Sequence, residues 1–363
     1  MRKPFEEIFE DQTRLGTKVQ TDEYHESGTH IIIDQGLEQI AGYTDREEGV
    51  FSAVPAIIFG DHTRIIKYVD EPFFLGADGV KVLRCKLPDP NYRYLYYALK
   101  HSRIPNTGYN RHYKWLKEVQ IPYPNAKHQE EIVAILDDIC RAIAVRQRQL
   151  LTLDTLIKAR FVEVFGDTMT NEKGWPRLTL NEACASIFGG GTPSKNHPEY
   201  FTGTIPWVSP KDMKSDVIRD SIDHITEDAI DNSSTNLVPV DSVLMVIRSG
   251  ILKHSLPVAI NRVPVTINQD MKAFIPGKLI LSGYLMYYFK TIESDVLAGV
   301  RSVTADNIDF KAFQQRLILV PPMELQTAFT AFVSQVDKSK VAVQKSLNEA
   351  QLLFDSLMQK YFG

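Results

Sequence analysis

Cysteine is scarce: Cys85, Cys140 and Cys184 are the only three in 363 residues. Few, odd in number and widely spaced, they argue against a disulfide framework and against a zinc site, and they suit a reducing compartment. Long apolar runs are missing as well, with nothing near the roughly eighteen residues a membrane span needs. The opening Met1-Arg2-Lys3-Pro4-Phe5-Glu6 has no apolar stretch behind its basic pair, so it does not read as a secretory leader, and the expected location is the cytoplasm. Also missing are an Asn-Pro-Pro-Tyr-type amino-methylation motif, a G-x-x-x-x-G-K-[ST] phosphate loop and any metal-spaced His or Cys cluster. No His-plus-acid arrangement recommends Cys184 or Cys85 as a nucleophile. Finally, basic charge is not in excess. Lys and Arg number 41 against 45 Asp and Glu, for a net charge of −4, and no long segment is basic. A nucleic-acid reader with this balance must gather its cations on one face or share phosphate contacts with partners.

What is present is a repeat. The stretch Gln129 to Gly166 aligns without a gap to Gln326 to Gly363, pairing Gln129 with Gln326, Gln147 with Gln344, Leu150 with Leu347 and Phe165-Gly166 with Phe362-Gly363. Upstream of each copy an apolar segment ends in a pair of prolines, Val119 to Pro124 and Leu317 to Pro322, which should stop a strand and release the chain into a helix. Within the copies, apolar residues recur in alternate steps of four and three. The first seam runs Ile132, Leu136, Ile139, Ile143, Arg146, Leu150, Leu153, Ile157, Arg160, Val164. The second runs Phe329, Val333, Val336, Lys340, Val343, Leu347, Ala350, Phe354, Leu357, Tyr361. A period of 3.5 held over about five heptads predicts a supercoiled helix pair. Arg146, Arg160 and Lys340 interrupt the seams, either as buried charges that fix register or as long side chains that reach out to water.

The segments before each helix repeat more faintly. Glu7 meets Glu182, Gly16-Thr17 meets Gly191-Thr192, Gly28-Thr29 meets Gly203-Thr204, and Tyr94 to Lys100 corresponds to Tyr284 to Lys290. Short β-prone runs such as His30 to Ile33, Ala56 to Phe59 and Ser242 to Ile247, broken by Gly, Asn, Asp and Pro, predict mixed globules. The expected fold class is α+β: two pseudo-repeated globular domains, 1–120 and 167–318, separated by two long helices, 121–166 and 319–363. The helices should pack as an antiparallel coiled coil, with pseudo-two-fold symmetry overall.

A single chain that imitates a dimer, with similar but unequal domains, suits two separated half-sites on a duplex. Base edges are best read by polar residues on turn-flanked segments, since Arg can fork onto guanine and Asn or Gln onto adenine. In the first domain these are Lys18, Gln20, Gln35 and Arg64; in the second, Ser194, Lys195, Lys211, Arg248, Lys253 and Gln269. The run Gly189-Gly190-Gly191-Thr192 could approach a phosphate backbone through its N–H groups or could be a tight turn. Trp207 beside Pro206 reads as core. Ile132, Leu136, Ile139, Ile143, Leu150, Leu153, Phe329, Val333, Val336, Leu347 and Phe354 are the expected seam and partner-facing residues.

The layout resembles the specificity subunits of type I restriction-modification systems along the whole chain. The second half carries their framework phrase as Trp175, Gly190-Gly191-Thr192-Pro193-Ser194, Tyr200, Gly203, Ile205-Pro206-Trp207 and Asp212, whereas the first half has Gly16-Thr17-Lys18-Val19 at the matching place. The resemblance implies that the two globules are target-recognition domains reading a bipartite, asymmetric site in double-stranded DNA. It also implies partners: two modification subunits that use S-adenosylmethionine, docked on the helices, and restriction subunits that use ATP and Mg²⁺. The chain itself would carry no catalysis and no cofactor. The competing expectation is a non-catalytic scaffold whose two domains bind proteins across a coiled-coil rod.

Overall fold

In the computed structural model, residues 1–76, 78–302 and 306–363 are described, and the side chains of residues 301 and 302 are left aside. The chain divides into two compact units, one of 1–148 with 344–363, the other of 149–343.

The first unit is built on two small sheets. One has the strand order Phe9–Asp11, Val80–Cys85, Ala56–Gly60, Ile66–Val69; the other has Gly42–Thr44, His30–Ile33, Phe73–Leu75. Ala56–Gly60 is buried on both faces, which is why it reads as a continuous apolar run rather than an alternating one. The period of two still operates within it. Ile57 and Phe59 enter the core shared with the helix Tyr92–His101, while Ala56 and Ile58 enter the core shared with Ile31, Ile33 and Phe73. A two-stranded ribbon closes the unit, pairing Arg2–Pro4 with Gln120–Pro122.

The second unit repeats this plan with other residues. Its larger sheet runs Cys184–Gly189, Met271–Pro276, Val243–Val246, Val258–Asn261, Val217–Ile218, and the smaller one His224–Ile225, Ile205–Val208, Thr266–Ile267. The closing ribbon pairs Arg177–Thr179 with Leu317–Leu319. Buried tyrosines at the repeat-matched positions do the same work in each unit. Tyr94 donates its hydroxyl to the Pro122 carbonyl at 2.8 Å, and Tyr284 donates to the Leu319 carbonyl at 3.0 Å. Each thus ties the helix after the last sheet strand to the ribbon.

The proline pairs end those ribbons, and the long helices Ala126–Phe165 and Met323–Phe362 begin just after. Gln129 and Gln326, on the first turn of each, are both buried. Gln129 donates to the Pro124 carbonyl at 2.9 Å. Gln326 donates to the carbonyls of Pro321 (2.8 Å) and Leu279 (2.9 Å) and accepts from the Leu281 N–H at 2.8 Å. The repeated glutamines therefore satisfy backbone groups where each helix leaves its globule, groups that would be costly to bury unpaired.

The heptad seams lie along the buried faces, but in the last turns the deepest residues are Phe161 and Phe165, Met358 and Phe362, one position past the expected Arg160 and Val164, Leu357 and Tyr361, because a straight helix drifts from a 3.5-residue period. In the first unit Ile132 and Leu136 share a core with Phe354, Met358 and Phe362, and Ile139, Ile143 and Leu357 lie against it. In the second, Ile157, Phe161 and Phe165 share a core with Phe329, Val333 and Val336, with Leu153 and Val164 against it. Within each unit the early part of one helix meets the late part of the other, so the pair is antiparallel. Leu150 and Leu347 are half-buried. The polar interruptions are used across the seam. Arg146 Nε donates to Ser346 Oγ at 3.2 Å, Lys340 pairs with Asp154, and the Arg160 guanidinium lies 5.9 Å from the Phe332 ring while pairing with Glu163 at 2.7 Å.

Candidate nucleic-acid interface

Because the second unit keeps the first unit's strand order and adds only Val217–Ile218 at one edge, the loops at a given end of the sheets are equivalent. In the first unit these are the segment after Phe9–Asp11, the turn after His30–Ile33, the turn between Ala56–Gly60 and Ile66–Val69, and the approach to Val80–Cys85. Three of the four residues singled out in the sequence meet here. Lys18 pairs with Asp78, and Gln35 Nε2 donates to the Asp78 carbonyl at 3.0 Å. The same Gln35 accepts from the His62 N–H at 3.2 Å, and Thr63 Oγ1 donates to its carbonyl at 2.7 Å. Arg64 sits at the turn with φ of 62°, a left-handed conformation uncommon for a non-glycine residue, and its Nη1 donates to the Ile104 carbonyl at 3.3 Å. Gln20 is used differently: its N–H is accepted by Glu23 Oε2 at 3.0 Å, starting the turn Thr21–Glu23.

Sequence reasoning missed His62, Asp78, Tyr109 and Arg111. The loop that follows the helix Tyr92–His101 reaches this corner, and its Tyr109 ring stacks on His62, with centroids 4.8 Å apart and planes 10° from parallel. The signal that could have found it is an aromatic residue between Asn, Gly and Arg in the phrase Asn106-Thr107-Gly108-Tyr109-Asn110-Arg111.

The equivalent corner of the second unit holds the other set. Thr192 donates to Gln269 Oε1, joining the segment after Cys184–Gly189 to the approach to Met271–Pro276. Arg248 Nε donates to Asp270 at 2.6 Å, Lys253 lies 3.9 Å from Asp306, and Arg248 forms a backbone bridge with Asn307. Ser194 and Lys195 are exposed in the turn where His197 N–H reaches the Ser194 carbonyl at 3.1 Å. Lys211, after Ile205–Val208, pairs with Asp223 at 2.6 Å. Thus Arg248, Lys253 and Gln269 are brought together, while no contact ties Lys211 to them.

The glycine run allows close packing. A Cβ on Gly190 would lie 1.7 Å from the Ile267 carbonyl oxygen, and one on Gly191 would lie 2.2 Å from Ser234 Oγ. Trp207 is half-buried and donates its indole N–H to the Gly191 carbonyl at 3.0 Å, so it braces this corner.

Electrostatically the two corners are alike: cations held by neighbouring carboxylates. The hydrogen bond from Lys18 pulls Asp78 below the usual carboxylate range, and in the second corner Asp270 holds Arg248. Such exposed pairs contribute little to stability, so a phosphate can take the place of the carboxylate with small loss. Burial pushes the Cys184 thiol up to about 12 and raises Cys85 as well, which suppresses the thiolate a nucleophile needs. Among the described residues no group of three His, Cys, Asp or Glu could hold a metal, and no helix is long and apolar enough to cross a membrane.

Two globules of one topology, each with a polar corner of its own composition and joined by paired helices, define a two-reader recognition protein. The family model for the type I restriction modification DNA specificity domain matches residues 4–154 and again 172–351, and the chain belongs to that family. It is 32% identical over 366 residues to the type I restriction enzyme EcoR124I/EcoR124II specificity subunit of Escherichia coli, covering 95% of this chain and 88% of that one. A shorter match, 33% over 141 residues, joins 38% of this chain to 32% of the type I restriction enzyme MjaIX specificity subunit of Methanocaldococcus jannaschii. Among solved structures, the S subunit of a type I restriction-modification system from M. genitalium matches in fold with a TM-score of 0.62 at 16% identity, covering 100% of this chain and 96% of that one.

Proposed function

We propose that this chain is the DNA-specificity subunit of a type I restriction-modification complex, non-catalytic itself, and that each unit reads one part of a bipartite, asymmetric site in double-stranded DNA. The observation that carries the reading is the pair of corners, equivalent in topology and different in side chains: Lys18, Gln35 and Arg64 in one, Arg248, Lys253 and Gln269 in the other. Equal frameworks give each reader the same way of approaching a duplex. Unequal side chains give the two half-sites different sequences.

On this reading the recognition segments are 1–120 and 167–318, and the segments 121–166 and 319–363 carry the helices on which modification subunits dock. Those partners, expected as a pair, would bring S-adenosylmethionine, and restriction subunits would bring ATP and Mg²⁺, in the cytoplasm where the DNA is. The small net charge fits a reader whose partners share the phosphate contacts. The test is genome-wide adenine methylation mapping in cells that express modification subunits with and without this chain. The expected result is methylation that depends on the chain and returns two short words separated by unread positions. One continuous word would refute two readers, and methylation unaffected by the chain would refute the specificity role.

A further inference from the structure

Tyr109 is the one aromatic side chain among the described residues that is largely exposed, at 87%. Residues 105–111 around it are all exposed, yet the loop is firmly based. His112, at its foot, is fully buried; its N–H donates to the Asp61 carbonyl at 2.8 Å, its ring contacts the same oxygen at 3.0 Å, and the Tyr113 N–H donates to Asp61 Oδ1 at 2.7 Å. Asn106 Oδ1 accepts from the Gly108 N–H at 3.2 Å, Asn110 donates to the Thr107 carbonyl, and Gly108 supplies the positive φ of 77° that the turn requires. The loop is thus preorganised to present one ring, and His62 supports that ring from behind. The shielded His62 Nδ1 has no hydrogen-bond partner, a cost tolerated at a place where the imidazole serves as a stacking platform. Arg111 follows the tip and acts on Asp78, the partner of Lys18.

Resting on the specificity reading, we propose that Tyr109 is the first unit's base-stacking contact, laying its free face against a base of its half-site while Arg111 holds a neighbouring phosphate. A protein interior would cover an exposed ring on all sides; a rigid loop that offers one free π-face with a guanidinium nearby matches a stacked base next to a phosphate. The other unit's counterpart loop includes residues 303–305, which lie outside the described residues.

The test uses the chain assembled with its modification subunits, a duplex carrying the mapped site, an unrelated duplex of equal length, and a 2-aminopurine reporter in the first half-site. Tyr109→Ala is expected to weaken binding to the mapped duplex about tenfold and to abolish the reporter's fluorescence change on binding, with binding to the unrelated duplex and the melting temperature unchanged. Tyr109→Phe should restore both signals, since stacking does not need the hydroxyl. Arg111→Ala should weaken both duplexes and lower the salt slope by about one. Wild-type binding and reporter signal in Tyr109→Ala would overturn the inference, as would equal loss on both duplexes. If the wild-type complex prefers no duplex at all, the specificity reading itself fails and the inference falls with it.

Discussion

At the scale of the residue, Gly190 shows how a framework phrase works. The backbone passes so close to Ile267 that a methyl group would overlap its carbonyl oxygen, while the neighbouring Gly191 N–H donates to that same oxygen at 3.1 Å. Gly190→Ala should therefore force the strand Thr266–Ile267 aside and cost about 1–3 kcal/mol, as overpacking does, seen as a lower denaturation midpoint. An unchanged midpoint would show that the loop has slack and that the glycine is there for another reason. Asp337 offers a second, pH-dependent case. Burial raises its pKa, the carboxylates of Asp216 and Asp154 push the same way, and Lys340 and Lys290 oppose. A carboxyl raised in the folded state is disfavoured as an anion there, so its ionisation costs stability above the raised pKa. That cost fades as pH falls toward the unfolded value near 3.8. Asp337→Asn should raise the melting temperature at neutral pH, and the gain should shrink on acidification toward about pH 4. A gain that held constant with pH would deny that the carboxyl's charge is responsible.

At the scale of the element, the long helices were legible because a 3.5-residue period accumulates signal over 40 residues. The sheets were legible only in part. Strands of two to six residues, such as Thr266–Ile267 and Val217–Ile218, carry no measurable period, and both pair in parallel with strands far along the chain. For the same reason the pairing of Lys18 with Asp78 and the stacking of Tyr109 on His62 could not be read from spacing. The glutamine repeat lies between these cases: Gln129 and Gln326 were visible as matched letters, but their use as buried caps was not. Gln326→Ala leaves the Leu281 N–H and the Pro321 and Leu279 carbonyls without their partner in a fully buried place. It should cost about 1–3 kcal/mol or more. Gln129→Ala, with one such backbone bond from its amide, should cost less. Chemical denaturation of the two variants side by side gives the order, and the reverse order would show that the caps are not what stabilises these helix starts.

Across the whole molecule, some parts repeat closely and others do not. The helical copies align without a gap, and the closing ribbons, buried tyrosines and capping glutamines recur at matched positions, so these are the framework. The corners share topology and little else, so they are the variable part. A protein built this way should accept one reader exchanged for another, because each reader meets the framework through the repeated ribbon and helix and not through its corner. Replacing residues 1–120 by the equivalent segment of another member of the family, with both long helices kept, should change one half of the methylated word and leave the other half and the number of unread positions as they were. Adenine methylation maps of cells carrying the parent and the exchanged chain report all three quantities at once. A change in the second half-site or in the spacing would mean that the readers are coupled, and that specificity is a property of the assembled molecule rather than of each corner.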